Sequence, residues 1–120
     1  MVMEKSNLKE RTKHFALKVI KIVEMLPRGR AADILGRQLI GAGTSVGANY
    51  RAACRAKSTA DFISKMGIVE EEADETIYWM ELLYEAGLVC KDDLLPLLDE
   101  ANQILAITIS SIKTARKHKK

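Results

Sequence analysis

The chain has 120 residues, of which 48% are hydrophobic and 29% charged, with a net charge of +3 at pH 7. This length suits a single domain with a substantial core, so we expect one domain over residues 1–120 with a short basic tail at 113–120. No apolar run approaches the roughly 20 residues of a membrane helix, and the polar start lacks the apolar stretch of a signal peptide. These features predict a cytoplasmic protein without a membrane partner.

Charge is strongly segregated along the chain. Residues 1–57 carry 12 basic and 4 acidic side chains, residues 58–100 carry 2 basic and 12 acidic ones, and residues 101–120 carry 5 basic and none acidic. Helices of opposite charge can neutralise each other within one bundle. The same pattern can also leave a basic surface for nucleic acid, and the tail "ARKHKK" slightly favours this second interpretation.

The first two predicted helices cover residues 7–26 and 31–56. In the first, apolar residues recur at helical spacing and Pro27 and Gly29 end the pattern. In the second, a stripe of glycines lies beside the core stripe, and a third stripe carries Arg37, Arg51 and Arg55. The core stripes of the two helices are Leu8, Phe15, Val19, Ile22 and Leu26, then Leu35, Leu39, Val46, Tyr50 and Ala53; the glycine stripe is Gly36, Gly43, Gly47 and Cys54.

The third helix is predicted from Ser58, where "STAD" resembles a capping box, to Gly87, which suits a C-terminal cap. It also carries two stripes. The core stripe is Phe62, Met66, Val69, Ala73, Ile77, Met80 and Tyr84, and the second stripe is Ile68, Glu72, Trp79, Leu83 and Ala86.

The fourth helix is predicted after "CKDD", with Pro96 in its first turn. No alternation typical of a strand occurs anywhere in the sequence. Short connections between four long helices predict an all-α protein, an up-down-up-down antiparallel four-helix bundle.

The glycine-rich stretch "GAGTSVGANYRAACRAK" raises the question of a phosphate-binding loop. It reads GxGxxxG, has no GK[ST], and lies within a helical pattern that no strand precedes. Close approach of another helix offsets the cost of helical glycine, about 1 kcal/mol each, and is the interpretation we favour.

Other chemical sites have little support in the sequence. The Glu-x-x-His pairs of a di-iron bundle are absent, since His14 and His118 lie on polar stretches near the ends. Cys54 and Cys90 are isolated, which predicts reduced, partly buried thiols rather than a disulfide or zinc site. We therefore expect no catalytic residue, no cofactor, no metal and no enzymatic activity.

Two groups of residues are predicted to have architectural roles. A polar network of Asn49, Arg55, Glu72 and Glu75 is expected to fix helix register, although solvated charges or a ligand site are alternatives. A second apolar stripe beside the core usually marks association, so we expect a homo-oligomer, with Trp79 as an interface anchor. The residues assigned to the oligomer interface or to close packing are Gly36, Gly43, Gly47, Ile68, Trp79 and Leu83.

The central segment resembles that of the 23S rRNA intervening-sequence proteins, a family of four-helix-bundle proteins. The resemblance lies in S-x-G-x-N at residues 45–49, then Arg55 and Ser58, and D-F-x-x-K followed by E-x-x-E-T-x-Y-W between Asp61 and Trp79. It extends over nearly the whole chain. One departure follows Asn49, where many relatives have I-A-E-G and this chain has Tyr50, Arg51, Ala52 and Ala53.

The resemblance implies a non-enzymatic ring, typically a homopentamer. Related proteins include the accessory variability proteins of diversity-generating retroelements, which are basic pentamers that bind nucleic acid and a reverse transcriptase. Compared with the many relatives that have I-A-E-G, the missing acidic residue and the additional Arg51 make the helix 2 surface more basic.

Our hypothesis is a protein that binds RNA or DNA through backbone electrostatics, largely independently of sequence. The lysines at positions 9, 13 and 21 are additional candidates. The alternative is an adaptor whose ring docks a protein, such as a reverse transcriptase or a ribosome-associated factor, through the acidic, aromatic face of helix 3. The main candidate nucleic-acid contacts are Arg28, Arg30, Arg37, Arg51, Arg55, Lys113, Arg116, Lys117, Lys119 and Lys120.

Overall fold

The structure, a computed structural model, describes the backbone of residues 2–118 and the side chains of residues 8–118. Four α-helices and no strand occur in this described part of the chain. They are α1 (Val2–Glu24), α2 (Arg30–Ala53), α3 (Thr59–Glu85) and α4 (Lys91–His118). Each helix packs against its neighbours in sequence, and α4 closes the bundle against α1. The predicted all-α up-down four-helix bundle is thus confirmed.

The helix ends follow from a few local hydrogen bonds and two glycines. Ser58 caps α3, because its hydroxyl accepts a hydrogen bond from the backbone N–H of Asp61 at 3.0 Å. Gly87 has φ 75° and ends the same helix: its own N–H bonds to Tyr84 O, and the N–H of Leu88 bonds to Leu83 O. These two bonds form a Schellman motif. Gly29, with φ 153°, turns the chain into α2.

Three boundaries differ from the prediction. α1 begins at Val2 rather than near residue 7, and α2 ends at Ala53, three residues early, as the chain turns through Cys54 and Arg55. α4 begins at Lys91, so Pro96 is its sixth residue and lies in the second turn rather than the first. Helix ends carry little hydrophobic signal, which is why periodicity places them poorly.

The core runs the length of the bundle and is apolar except for three threonines. Thr12, Thr76 and Thr108 are fully buried. Each donates its hydroxyl to a carbonyl of its own helix, with oxygen–oxygen distances of 3.2, 2.6 and 2.8 Å respectively. Self-bonding of this kind satisfies a buried hydroxyl without a partner from another helix. The largest fully buried apolar side chains are Phe15, Val19, Leu39, Val46, Met66, Val69, Met80, Leu83, Leu94 and Ile104.

The core face of α3 is rotated from the predicted one. Tyr84, predicted in the core, is 43% exposed, whereas Leu83, predicted in the second stripe, is 0% exposed. α3 packs against both α2 and α4, so its buried face is centred between the two predicted stripes. Leu83 therefore lies in close packing inside the protomer and does not present a surface to another subunit.

Three of the four glycines of α2, Gly36, Gly43 and Gly47, lie against α1 within an unbroken helix. A β-carbon at Gly43 would stand 2.9 Å from both γ-methyl groups of Val19, and one at Gly47 would stand 3.2 Å from Thr12 Oγ1. At Gly36 it would stand 3.1 Å from Leu26 Cδ1. We call this line of contact the glycine seam. It allows the α1 and α2 backbones to approach more closely than alanine would permit.

Candidate nucleic-acid interface

The bundle has two ends that differ in charge. The basic end, defined as residues 48–65 and 110–118, carries seven lysines and arginines and one acidic residue. The neutral end, defined as residues 25–37 and 78–95, carries four basic and five acidic residues. On α2, the nearest cations of the two ends are Arg37 and Arg51, which at 1.5 Å per residue lie about 21 Å apart along the helix. This separation is about twice the Debye length of ~10 Å at 0.1 M salt, so each end presents largely its own field.

At the basic end, the turn between α2 and α3 meets the last turns of α4. The turn and the last turns of α4 contribute residues to one shared groove, among them Lys57, Ser58, Ser111 and Thr114. The five cations Arg51, Arg55, Lys113, Arg116 and Lys117 belong to these same segments and so lie at the same end of the bundle. All five of these side chains are exposed. Five of the ten predicted contacts thus lie at one end of the bundle.

The single carboxylate of the basic end is already engaged. Asp61 accepts a hydrogen bond from the Lys57 backbone N–H at 3.0 Å and pairs with Lys65 Nζ at 2.7 Å. The hydrogen bond from Lys65, followed by that from Lys57, lowers the pKa of Asp61. This carboxylate does not neutralise the remaining arginines and lysines, so they are available to an anionic ligand.

Three predicted contacts lie at the opposite end. Arg28 and Arg37 line a shallow pocket of about 340 Å³, and Arg30 begins α2. Arg37 Nη2 lies 3.6 Å from Asp33 Oδ2, and both side chains are largely exposed. The structure therefore divides the predicted set and does not bring Arg28, Arg30 and Arg37 to the basic end.

The other predicted cations fall outside these two groups. Lys9, Lys13 and Lys21 are exposed along α1. Lys119 and Lys120 lie outside the described residues.

The predicted polar network does not form within the protomer. Asn49 Nδ2 donates to Ser45 O and Ser45 Oγ, both at 2.8 Å, so it bonds within its own helix. Among the described residues, no ion pair joins Arg55 to Glu72 or Glu75. Burial, and then repulsion from Glu75 and Glu71, raise the pKa of Glu72, the opposite of what a cationic partner does.

A polar contact that periodicity did not reveal joins the first helix to the last. Arg11 on α1 makes a two-pronged contact with Glu100 on α4, Nε to Oε2 at 2.9 Å and Nη2 to Oε1 at 2.8 Å. Arg11 Nη2 also donates to Gln103 Oε1 at 2.9 Å. Both charged side chains are about one-quarter exposed. The pairing depends on residues 89 positions apart, so no local spacing could have indicated it.

The predicted interface residues of α3 lie on its outer flank. Ile68 is exposed, Trp79 is partly buried, and Tyr78 is exposed. The rings of Tyr78 and Trp79 meet edge-on, with centroids 5.1 Å apart. Trp79 Nε1 is buried and has no hydrogen-bond partner in the described part of the protomer, which makes it a donor in need of an acceptor.

The two cysteines and the buried tyrosine do not form a chemical site. Cys54 and Cys90 are free and exposed, which corrects the expectation of partly buried thiols, and they lie at opposite ends. Burial, and then a hydrogen bond with Cys54, raise the pKa of Tyr50.

No group of three or more potential metal ligands occurs among the described residues. Within that same part of the chain, no helix is long and apolar enough to cross a membrane.

Several residues of the motif between Ser45 and Trp79, described in the sequence analysis, make structural contacts in the bundle. Ser45 and Asn49 bond to each other one helical turn apart, and Gly47 lies against Thr12. Asp61 and Lys65 pair across the first turn of α3, and Thr76 bonds back to Glu72 O. These contacts define capping and packing. They explain much of the motif without a ligand.

The bundle geometry, with its glycine seam and polarised ends, defines the chain as a small four-helix-bundle protein. It belongs to the 23S rRNA-intervening sequence protein family, whose model matches residues 4–110. It is also similar to a crystal structure of a protein of unknown function from the S23 ribosomal protein family of Bacteroides thetaiotaomicron. The TM-score is 0.84 and the identity 32%, over 91% of this chain and 97% of that chain. No curated protein matches the chain significantly.

Proposed function

We propose that this protein is a non-enzymatic nucleic-acid-binding protein that uses its basic end, and that it acts as a homo-oligomer. The observation that carries the proposal is the charge of that end, where seven cations accompany one carboxylate. Lys65 and the Lys57 backbone already satisfy that carboxylate. Phosphates are the ligands that such a surface binds best, through exchange of condensed counterions.

The helix directions give part of this charge an architectural role as well. Arg51, Arg116, Lys117 and His118 lie in the last turns of α2 and α4, where cations stabilise the negative end of the helix dipole. That role does not need Arg55, Lys57 or Lys113. The surplus of charge beyond what the helix ends use supports a function in binding.

Assembly into a ring would multiply this surface. The resemblance to basic pentamers that bind nucleic acid supports a pentamer, and repeating one basic end around a ring raises the effective concentration of each contact. Ile68 and Trp79 are the side chains that we assign to the subunit interface. Burial of Trp79 against a neighbour would supply an acceptor for its unpaired Nε1.

The experiment measures mass and binding together. Light scattering after size exclusion, with and without a mixed pool of short RNA and DNA, reports the number of subunits and any bound nucleic acid. We expect one oligomer that takes up nucleic acid at 50 mM salt and releases most of it at 300 mM, because phosphate contacts weaken steeply with salt. A monomer would contradict the proposed homo-oligomer. The absence of nucleic-acid uptake at 50 mM salt would contradict the proposed binding.

The second candidate function is a ring that docks a protein partner. The exposed Tyr78 and the unpaired Trp79 Nε1 favour it, since aromatic side chains with an available donor are typical of interfaces. A pull-down that survives nuclease treatment and is lost in Tyr78→Ala would support this alternative. Capture that disappears with nuclease treatment would support the first.

A further inference from the structure

The basic end contains a groove that the proposed electrostatic binding does not use. It has a volume of about 870 Å³, within the range of roughly 300–1,000 Å³ that is usual for small-molecule sites. One wall is α4, the other is formed by the end of α2 and the start of α3, and Leu8 of α1 also contributes to the lining. Its apolar surface includes Ala53, Phe62, Ala106 and Ile107.

Hydroxyl groups without partners line the α4 wall. Ser110, Ser111 and Thr114 all face the groove, and within the described part of the chain their hydroxyls make no hydrogen bond. Elsewhere in the bundle, helical threonines bond back to their own helix, as Thr44, Thr76 and Thr108 do. The three groove hydroxyls therefore keep both their donors and their acceptors for a ligand.

One lysine, Lys57, lines the groove directly. Arg55, Lys113 and Arg116 belong to the same end of the bundle, where each is next to a lining residue in sequence but is not itself part of the lining. Of the carboxylates near the groove, Asp61 is paired with Lys65, and Glu10 is exposed two residues from Leu8 of the lining. The groove thus combines an apolar floor, hydroxyls without protein partners in the described residues, and a lysine at the basic end of the bundle.

We propose that this groove binds single-stranded nucleic acid. Unstacked bases lie on its apolar floor and hydrogen-bond to the hydroxyls of Ser110, Ser111 and Thr114. The phosphates lie against Lys57 and the other cations of the basic end. Bases in a duplex are stacked and paired, so they cannot enter a groove of this kind, whereas single strands can splay their bases into it. The inference rests on the proposed function, because it specifies which nucleic acid the basic end selects.

The preference for single strands separates the groove from simple electrostatics. A duplex has a higher charge density than a single strand, so a surface that contacts only phosphates favours the duplex. A groove that takes bases reverses this order. The test is fluorescence anisotropy at 100 mM salt with labelled rU12, dT12 and a 12-base-pair duplex of mixed sequence.

Two variants locate the effect. Ser110→Leu fills the groove from the α4 wall and removes one hydroxyl without changing charge. Ser64→Leu makes the same substitution at an exposed position of α3 outside the groove. We expect both to keep wild-type helicity by circular dichroism. Ser110→Leu should weaken binding of rU12 and dT12 about tenfold, the loss of roughly one stacked base, and leave the duplex unchanged.

The outcomes distinguish this inference from the function on which it rests. Wild-type affinity for either single strand at least threefold above that for the duplex, together with the selective loss in Ser110→Leu, supports the groove. Equal or tighter duplex binding by the wild type overturns the groove while leaving nucleic-acid binding intact, and it needs no variant to fold. An equal loss in Ser64→Leu also overturns it. No binding of any of the three probes removes the proposed function itself.

Discussion

The two ends of the bundle are built from the same helices but present different surfaces. At the neutral end, opposite charges nearly cancel and large apolar side chains remain exposed, among them Met25 at 59% and Ile34 at 53%. At the basic end, as defined above, seven cations accompany one carboxylate, that of Asp61, which is paired with Lys65. The comparison shows that the small net charge of +3 is unevenly distributed: positive charge is concentrated at one end of the long axis, which spans 51 Å.

The largest effect should come from removing positive charge at the basic end. A triple variant at the basic end (Arg55→Gln, Lys113→Gln and Arg116→Gln) removes three phosphate contacts. We expect roughly 100-fold weaker nucleic-acid binding at 100 mM salt and a salt slope smaller by about 3. Anisotropy titrations from 50 to 300 mM salt measure both.

The matched control removes three cations from the neutral end, Arg28→Gln, Arg30→Gln and Arg37→Gln. It has the same change in net charge, and we expect less than about a threefold loss, because these cations lie about two or more Debye lengths from those of the basic end. Equal losses in the two triples would mean that overall charge, rather than its placement at one end, governs binding.

Substitutions in the glycine seam, which lies between the two ends, test how tightly α1 and α2 pack against each other. Gly43→Ala places a β-carbon 2.9 Å from the methyl groups of Val19, which is fully buried and β-branched and so cannot move aside. We expect the free energy of unfolding in urea to fall by about 1–2 kcal/mol, since overpacking exceeds the gain in helix propensity.

The companion substitution lies two residues away. A β-carbon at Gly41 meets no atom within 4 Å, so Gly41→Ala should raise the free energy of unfolding by up to about 1 kcal/mol. If both alanines stabilised the protein, close approach of α1 and α2 would not be the reason for the glycines.

The Arg11–Glu100 pair tests how α1 is held against α4 between the two ends. Because the contact is two-pronged and both side chains are about three-quarters buried, Arg11→Ala should lower the free energy of unfolding by about 1–2 kcal/mol. A double-mutant cycle with Glu100→Gln measures the coupling energy. Strict additivity of the two single changes would show that the pair contributes nothing.

The smallest expected effect concerns Glu72, midway along α3. Burial raises its pKa, so the folded chain holds the proton more tightly than the unfolded chain, and ionisation at neutral pH destabilises the fold. We expect Glu72→Gln to raise the free energy of unfolding at pH 7 by at most about 1 kcal/mol. The gain should vanish below pH ~4, under the ordinary carboxyl pKa of about 4.3, where the wild-type side chain is protonated in both states.

Thermal unfolding from pH 3 to 8 measures this dependence, with Glu81→Gln, an exposed carboxylate of the same helix, as the control. If Glu72→Gln instead lowered the stability at pH 7, that result would support the predicted ion pair of Glu72, formed with a cation across a subunit interface.

Periodicity was most informative where one helix face is buried and least so where two faces are. The stripe of Phe15, Val19 and Ile22 was predicted and is buried. On α3 the prediction was wrong for two residues: Tyr84 was expected in the core and Leu83 on the flank, and the structure shows the reverse. The reason is that α3 packs on two neighbouring helices and buries a wide arc, which a single stripe does not describe. The sequence identified the candidate contacts as one set of cations. Only the up-down arrangement of the helices shows that Arg28 and Arg55 lie at opposite ends of the bundle.

The sequence by itself determined the all-α class, the number of helices, their approximate limits and the presence of a glycine face on α2, because all of these follow from local spacing and capping. Tertiary structure alone decided that the glycine face receives α1, that Arg11 meets Glu100, and that the α2–α3 turn and the end of α4 form one groove at the basic end. The physical reason is range. Hydrogen bonding and amphipathicity act within a few residues of one helix, whereas charge clusters and grooves depend on which helix ends meet.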